Sequence, residues 1–484
     1  MDATAQTIRF IPQSRKGILV RLGDAMQRNR RAILAIQWVI VAAYVLLVVV
    51  PAFLPLPQTG ETILSNLTLF AQFAFWGIWW PFVILSIMLM GRVWCGVFCP
   101  EGALTEFASR HGRGGVIPKW VRWSGWPVVA FIATTVYGQL ISVYDYPQAA
   151  LLILGGSTVA AMMIGWLYGK GKRVWCRYLC PVSGVFALLA RLAPVYFRVD
   201  RASWDRYPGR TGAVDCAPLL NVKRLNSTSQ CHACGRCSGH RNAVQLAARS
   251  PSAEILAIGG VFKNAVGDNG TKHGATVFQH PAQQSVSTAE AVLLIFGLLG
   301  VSIGAFQWTV SPWFIQLKQH SAEWLMARDI FWPLQDSTAW WLLTRYPAAN
   351  DVFTWLDGTA ILAYIGAVAL VLGGAVLALV SASARLARTD WRLLAMGMTP
   401  LAGIGLFLGL SMMTVSHLRA EGILLPWLPW ARGILLGLGV LWSLRLGIGL
   451  LRDASPVRQV VAFVLYAATV AIIGIVWGIQ FYVW

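Results

Sequence analysis

Nine long apolar runs alternate with shorter polar stretches along the 484-residue chain, at about 33–54, 66–90, 126–145, 149–168, 290–310, 359–380, 393–416, 431–451 and 459–481. Each is long enough, at 1.5 Å per residue, to cross a hydrocarbon core of roughly 30 Å. The pattern predicts an all-α polytopic membrane protein with about nine transmembrane helices. The third and fourth runs are joined by very few residues and read as a helical hairpin. The first run exceeds the 7–15 residues typical of a secretory core, so it is expected to stay as the first span. Gly300/Gly304, Gly405/Gly409 and Gly433/Gly437 have the small-xxx-small spacing of close helix packing. The second run is crowded with Phe73, Phe75, Trp76, Trp79 and Trp80, for which lipid-facing and interfacial packing is expected.

The polar stretches divide the chain into a basic tail (1–32), a four-helix core (33–197), a polar segment (198–289) and a five-helix region (290–484). Within the polar segment, Gly267–Thr288 is rich in small polar residues and reads as loop. The 311–358 stretch carries Trp313, Trp324, Trp332, Trp340, Trp341 and Trp355 and is expected along a membrane surface. Composition agrees with the pattern: 57% of residues are hydrophobic, 12% are charged, and mean hydropathy is +0.60. A soluble domain carries about twice that charge fraction.

A net charge of +19 raises the question of nucleic acid, but the distribution answers it. With the N-terminus inside, the loops on that side hold 33 basic and 11 acidic residues, against 5 and 8 on the other. That is positive-inside asymmetry, and it accounts for the basicity without a nucleic-acid partner. It predicts a bacterial cytoplasmic membrane protein with its N-terminus and cysteine motifs cytoplasmic.

All eight cysteines fall on that predicted cytoplasmic side, where thiols stay reduced and metal binding is the default reading. Four belong to a repeat. Arg92-Val93-Trp94-Cys95-Gly96-Val97-Phe98-Cys99-Pro100 returns as Arg173-Val174-Trp175-Cys176-Arg177-Tyr178-Leu179-Cys180-Pro181, each copy after a long apolar run. The units 66–110 and 149–191 therefore read as an internal duplication. Pro100 and Pro181 are expected to open helices, running through Ser109 and Arg191, with Cys99 as an N-cap. The other four are Cys216 and the run Cys231-His232-Ala233-Cys234-Gly235-Arg236-Cys237. That run is the tight Cys-x-x-Cys-x-x-Cys of ferredoxins, which continue with a fourth Cys and a Pro; here Arg241 and Asn242 stand there, so Cys216 is the candidate fourth ligand, with His232 and His240 as fallbacks. Cys-x-x-x-Cys-Pro in turn matches the closing half of the ferredoxin run. The expected sets are Cys95, Cys99, Cys176 and Cys180 for one site, and Cys216, Cys231, Cys234 and Cys237 for the other. Mixed pairings and four-thiolate zinc stay open at this point. Arg92, Arg173, Arg177 and Arg236 suit an anionic cluster.

With these motifs, residues 66–245 resemble the membrane polyferredoxins. That group includes the quinol-oxidising partner of periplasmic nitrate reductase, the regulator of nitrous oxide reductase, the copper-handling assembly factor of haem–copper oxidases and the polyferredoxin of a periplasmic ferrous-iron uptake system. The resemblance implies two [4Fe-4S] clusters and electron transfer between a quinol or a cytoplasmic donor and a periplasmic redox partner, with a quinone site between the helices. Service to iron or copper uptake ranks beside respiratory reduction. The sequence departs from the group in having one truncated ferredoxin run and five further helices.

Two other classes compete. A zinc-stapled assembly factor would use the same thiolates, and a metal permease would need a polar path through 290–484, which those spans do not offer. On the outer side, Met412, Met413 and His417 end one helix, and Met413 with His417 has the i,i+4 spacing of a metal or haem ligand pair. Packing is the ordinary role for such residues. His320, His273 and His280 have no partner pattern.

Overall fold

The computed structural model describes residues 17–58, 60–258, 286–452 and 454–484. His273, His280 and most of the Gly267–Thr288 loop lie outside the described residues. Helices dominate: α1 Ile18–Arg28, α2 Arg30–Phe53, α3 Leu67–Met90, α4 Pro100–Arg110, α5 Trp126–Leu140, α6 Pro147–Tyr168 and α7 Ser183–Ala190 in the first half. Then come α8 Thr288–Gln307, α9 Pro312–Met326, α10 Trp355–Ala387, α11 Thr399–Ala420, α12 Leu428–Leu450 and α13 Pro456–Tyr482. Eight of these are long and apolar enough to cross a membrane: α2, α3, α6, α8 and α10 to α13. The chain is a multi-pass membrane protein. The expected ninth span is represented by α5, which is shorter at 15 residues, about 22 Å of helix.

The ends of α5 nevertheless lie at opposite ends of the bundle. Trp126 packs with Val121 and Val174 beside the second cysteine motif, while Leu140 packs with Tyr146, Ala149 and Tyr346 at the far end. Its sequence neighbour α6 was expected to pair with it as a hairpin. Instead α5 packs along α8 and α10, and α6 packs along α4, where Gly165 presses on the backbone of Thr105.

One core runs through both halves of the bundle, from Val83 and Ile87 of α3 through Leu189 and Leu294 to Leu401 and Trp477. The glycine pairs divide by what they admit. At Gly300 and Gly304 an added Cβ would lie 2.9 and 3.1 Å from the Cα atoms of Ala369 and Ile365, so α8 and α10 meet backbone to backbone. Gly405 and Gly409 instead make room for the rings of Trp477 and Phe306. Gly437 meets nothing within 4 Å.

The polar segment folds on the end of this bundle. β1 Val195–Val199 pairs antiparallel with β2 Val244–Ala248, Val195 opposite Ala248. Phe197, Val222, Val244 and Leu246 form a small core that takes in Cys216, Cys231 and Cys237. Part of the expected basic tail belongs here too. Residues 18–28 form the amphipathic helix α1, which packs on β2, with Met26 against Gly235 and Gly23 against Ser238 and Leu246. Its Leu19, Val20, Gly23 and Met26 fall on one side of a helix, a period that the flanking arginines obscure.

Candidate iron–sulfur site

The two repeats end up facing each other. The first motif leaves α3 through Gly91, whose φ of +66° permits the sharp exit. It winds as a wide turn over Trp94–Phe98 and enters α4 with Cys99 as N-cap, its sulfur accepting a hydrogen bond from the Gly102 N–H at 3.3 Å. The second motif forms a helical turn at Val174–Tyr178. Here the expected helix opening at Pro181 is displaced: α7 begins at Ser183 and stops at Ala190, because a Cys180–Ser183 turn precedes it.

The arginine of each copy reaches across to the other. Arg92 donates to the Ser183 hydroxyl at 2.9 Å, and that hydroxyl donates to the Cys176 carbonyl at 2.8 Å. Arg173 donates to the Cys95 carbonyl and, at 2.9 Å, to Glu106. An added Cβ at Gly102 would sit 3.0 Å from Arg173. Gly102 and Ser183 are each the third residue after their motif's second cysteine, so the contacts are related as a pseudo-twofold axis requires. Both arginines are buried, Arg173 completely.

Cys95, Cys99, Cys176 and Cys180 line one cavity of about 230 Å³, continuous with the rings of Phe75, Trp76, Trp79, Trp80 and Tyr144. Phe75 and Trp76 are buried, and Trp79 packs edge-on against Trp94 of the motif at 5.3 Å. The aromatic face of α3 thus turns inward, contrary to the lipid-facing expectation; Ile78 and Phe82 face outward instead. Glu101 is on the same wall, bonded to the Trp175 indole N–H at 3.3 Å. Burial raises its carboxyl above the ordinary range, against the hydrogen bonds from Ser157 and Trp175.

The second set, Cys216, Cys231, Cys234 and Cys237, also lines one small pocket. Ala233, Gly235 and Gly239 take left-handed φ values of 47°, 74° and 73°, curling the run so that the Ala233 N–H approaches the Cys231 sulfur at 3.4 Å. The chain entering this run is pinned by buried Glu254, which accepts from the Thr228 N–H at 3.0 Å and pairs with Arg249 at 2.9 Å. Cys216 is the fourth cysteine of the lining, which also includes His232. The His240 ring lies 4.9 Å from Trp204, and His232 sits between the two sets.

The sets touch. An added Cβ on Gly96 would lie 2.9 Å from the Cα of Cys234 and would collide with the His232 carbonyl oxygen. Around this contact Glu106, missed by the sequence reading, gathers three arginines: Arg173 at 2.9 Å, Arg236 at 2.6 Å and Arg110 at 3.0 Å. Burial pushes its carboxyl up, but Arg173 and Arg236 override that and hold it at about 2. Only Arg110, four residues on along the same helix, hinted at the role. Gln37 of α2 donates to the Gly96 carbonyl at 3.0 Å, and Arg30 donates to that of Arg236 at 2.8 Å.

The donor chemistry fits iron–sulfur clusters. Each pocket gathers four thiols, and burial is the largest influence raising Cys176 and Cys231 to about 12. Thiols this reluctant to ionise become thiolates when a cation displaces the proton. Among the described residues, buried Arg92 Nε, Arg173 Nη2, Arg177 Nε and His232 Nδ1 have no hydrogen-bond partner, which suits anionic neighbours. No group of three or more His, Cys, Asp or Glu side chains is arranged for a single metal ion among the described residues. Met413 packs with the aromatic cluster around Trp76, and His417 Nδ1 bonds the Met413 carbonyl at 2.7 Å. Met412 sulfur takes a hydrogen bond from Gln480 at 3.3 Å.

Comparison with known proteins gives the same chemistry. The 4Fe-4S binding domain family matches the chain twice, at residues 72–119 and 151–199, one match per repeat. The regulatory protein NosR of Pseudomonas aeruginosa is 29% identical over 248 residues, 45% of this chain and 33% of that protein. YccM of Escherichia coli, named as a candidate electron transport protein, is 24% identical over 32% of this chain and 50% of its own. NosR of Stutzerimonas stutzeri is 24% identical over 33% of this chain and 25% of its own. The chain thus spans between a quarter and a half of the length of these relatives. No solved structure matches it. The resemblance carried by the paired Cys-x-x-x-Cys-Pro motifs holds: this is a multi-pass membrane protein with two stretches that match the 4Fe-4S binding domain family, similar to the regulatory protein NosR and the electron transport candidate YccM.

Proposed function

We propose that the protein is an electron carrier of the bacterial cytoplasmic membrane that holds two [4Fe-4S] clusters. Cys95, Cys99, Cys176 and Cys180 hold one, and Cys216, Cys231, Cys234 and Cys237 the other. The observation that carries this reading is the contact at Gly96, where two four-cysteine pockets meet with one backbone thickness between them. Bound clusters supply single-electron storage. The residues do the rest: α4 and the Val174–Tyr178 turn fix the thiols, Arg92 and Arg173 set the two motifs against each other, and α1 covers the second pocket. The aromatic cavity leading from the first pocket into the bundle is suited to an apolar donor such as a quinol, whose two electrons would leave one at a time.

In this reading α5 crosses as the ninth span, which the opposite placement of its ends supports. The N-terminus and both pockets are then cytoplasmic, 33–197 and 290–484 are the four- and five-helix parts, and the redox partner is periplasmic. A respiratory reductase or an iron- or copper-handling system would fit, and the names of NosR and YccM favour electron transport or its regulation.

Anaerobic purification followed by iron and acid-labile sulfide counts tests the proposal. About eight iron atoms and a reducible EPR signal are expected for two cubanes. Cys176→Ser should remove about half of the iron and leave the second signal. Zinc without sulfide would overturn the carrier reading in favour of a zinc-stapled assembly factor, and loss of both signals or neither would overturn the pairing.

A further inference from the structure

A second cavity, of about 610 Å³, opens beside the pockets between α5, α7, the start of α8 and the residues leading into the Cys231 run. No cysteine lines it. Its walls carry Arg92, Arg122, Arg177, Arg191 and Arg224. The acidic residue on the wall is Glu290, engaged by Arg191 at 2.6 Å. Among the described residues five guanidiniums and one carboxylate line the cavity, with Arg191 also 3.8 Å from Glu254, and like charges gathered at one site repel.

Among the described residues, particular nitrogens of these side chains have no protein partner. Arg92 Nε, Arg177 Nε, Arg191 Nη1 and His232 Nδ1 are buried without a hydrogen bond, and Arg92, Arg191 and His232 are each at least nine-tenths buried. A buried donor left unpaired costs roughly 1–3 kcal/mol, more when charged. Two helices add to the field. α5 and α7 both begin at this cavity, through Ser124–Pro127 and Ser183–Gly184, with no acid in the first turn, so their positive dipole ends add to the field, while the Trp126, Val128 and Ser183 N–H groups are bonded to nearby carbonyls. Arg92 and His232 are shared with the cysteine pockets, whereas Arg122, Arg177, Arg191 and Arg224 line this cavity and neither of those.

We infer that this cavity binds a phosphate group. Guanidinium forks match phosphate oxygens two at a time, and the dipoles at the starts of α5 and α7 favour negative charge. The group has two possible sources, a free phosphate ester or the headgroup of an anionic phospholipid. Trp123 and Val128 put apolar surface on the same wall, as a lipid would use. The site lies against Arg92 and His232, which also border the two cysteine pockets, so occupancy would bear on both.

The test uses full-length protein in phosphatidylcholine nanodiscs, with and without phosphatidylglycerol, and radiolabelled inorganic phosphate as the second probe. The variants are Arg122→Gln with Arg224→Gln, which are exposed rim residues, and separately Ala187→Phe, which fills the cavity and leaves every charge in place. Saturable phosphate binding that weakens roughly ten- to hundred-fold in both variants, with cluster absorbance unchanged, establishes a free-phosphate site. Phosphatidylglycerol that co-purifies, stabilises the wild type, and is lost from both variants establishes a lipid site. Absence of saturable binding by either probe overturns the inference, as does binding equal in wild type and variants.

Discussion

Glu106→Gln is the most informative single change, because one carboxylate ties both cysteine motifs together. Arg173 arrives from the second repeat, Arg236 from the Cys231 run and Arg110 from Glu106's own helix. The carboxyl is held at about 2 against an ordinary 4.5, so the charged form is stabilised by roughly 3 kcal/mol at 1.36 kcal/mol per unit. The side chain is 4% exposed and Arg173 is 0% exposed, so solvent screening removes little of this. Glutamine keeps the shape and some hydrogen bonding but leaves Arg173 a buried charge without its counter-charge, which costs about 3–5 kcal/mol in comparable buried pairs.

The sign of the pH dependence follows from the direction of the shift. A carboxyl depressed in the folded state contributes fully above its unfolded value, and the contribution is lost as pH falls from 4.5 towards 2. Wild type and Glu106→Gln should therefore differ by about 3 kcal/mol at neutral pH, and the gap should begin to close just below pH 4.5. The assay is anaerobic denaturant unfolding in detergent, followed by helical circular dichroism and cluster absorbance. A gap absent at neutral pH, or unchanged between pH 5 and pH 3, would refute the assigned network.

Gly96→Ala should push the first motif off the His232–Cys234 backbone, reducing magnetic interaction between the two proposed clusters in EPR while iron content stays near wild type; unchanged coupling would count against the contact. Gly300→Val should destabilise the bundle by at least 1–3 kcal/mol, as overpacking does, because its Cβ would meet Ala369 Cα at 2.9 Å; Gly437→Val, with open space around it, should have little effect on the same melting curve. Met26→Asp in α1 should expose the Cys231 run and speed oxidative loss of the second cluster, leaving the first EPR signal intact. Met413→Ala and His417→Ala should leave the metal content by elemental analysis unchanged, because Met413 is packed and His417 bonds a carbonyl.

What the sequence made legible was whatever it states through a period or a repeat. Apolar runs located the eight long spans, with ends off by as much as seven residues at Trp355–Ala387 (expected 359–380), and the doubled R-V-W-C-x-x-x-C-P frame announced that two segments share one geometry. It did not reveal why arginine opens each frame: that reason is a contact across the pseudo-twofold, from Arg92 to Ser183 and from Arg173 to Glu106, and no local pattern encodes it. The same limit hid Gly96, which resembles any loop glycine until Cys234 is placed against it. It also hid α1, whose apolar positions are diluted by Arg21 and Arg28. The inward turn of the α3 aromatics was misread for a related reason. Composition says that tryptophan favours interfaces, but a ring over Phe73–Trp79 takes its direction from the wide helical turns there and from the cavity they border. Residues that act through chemistry on their own segment were readable, whereas those that act by holding two segments in register became readable only once the chain was folded.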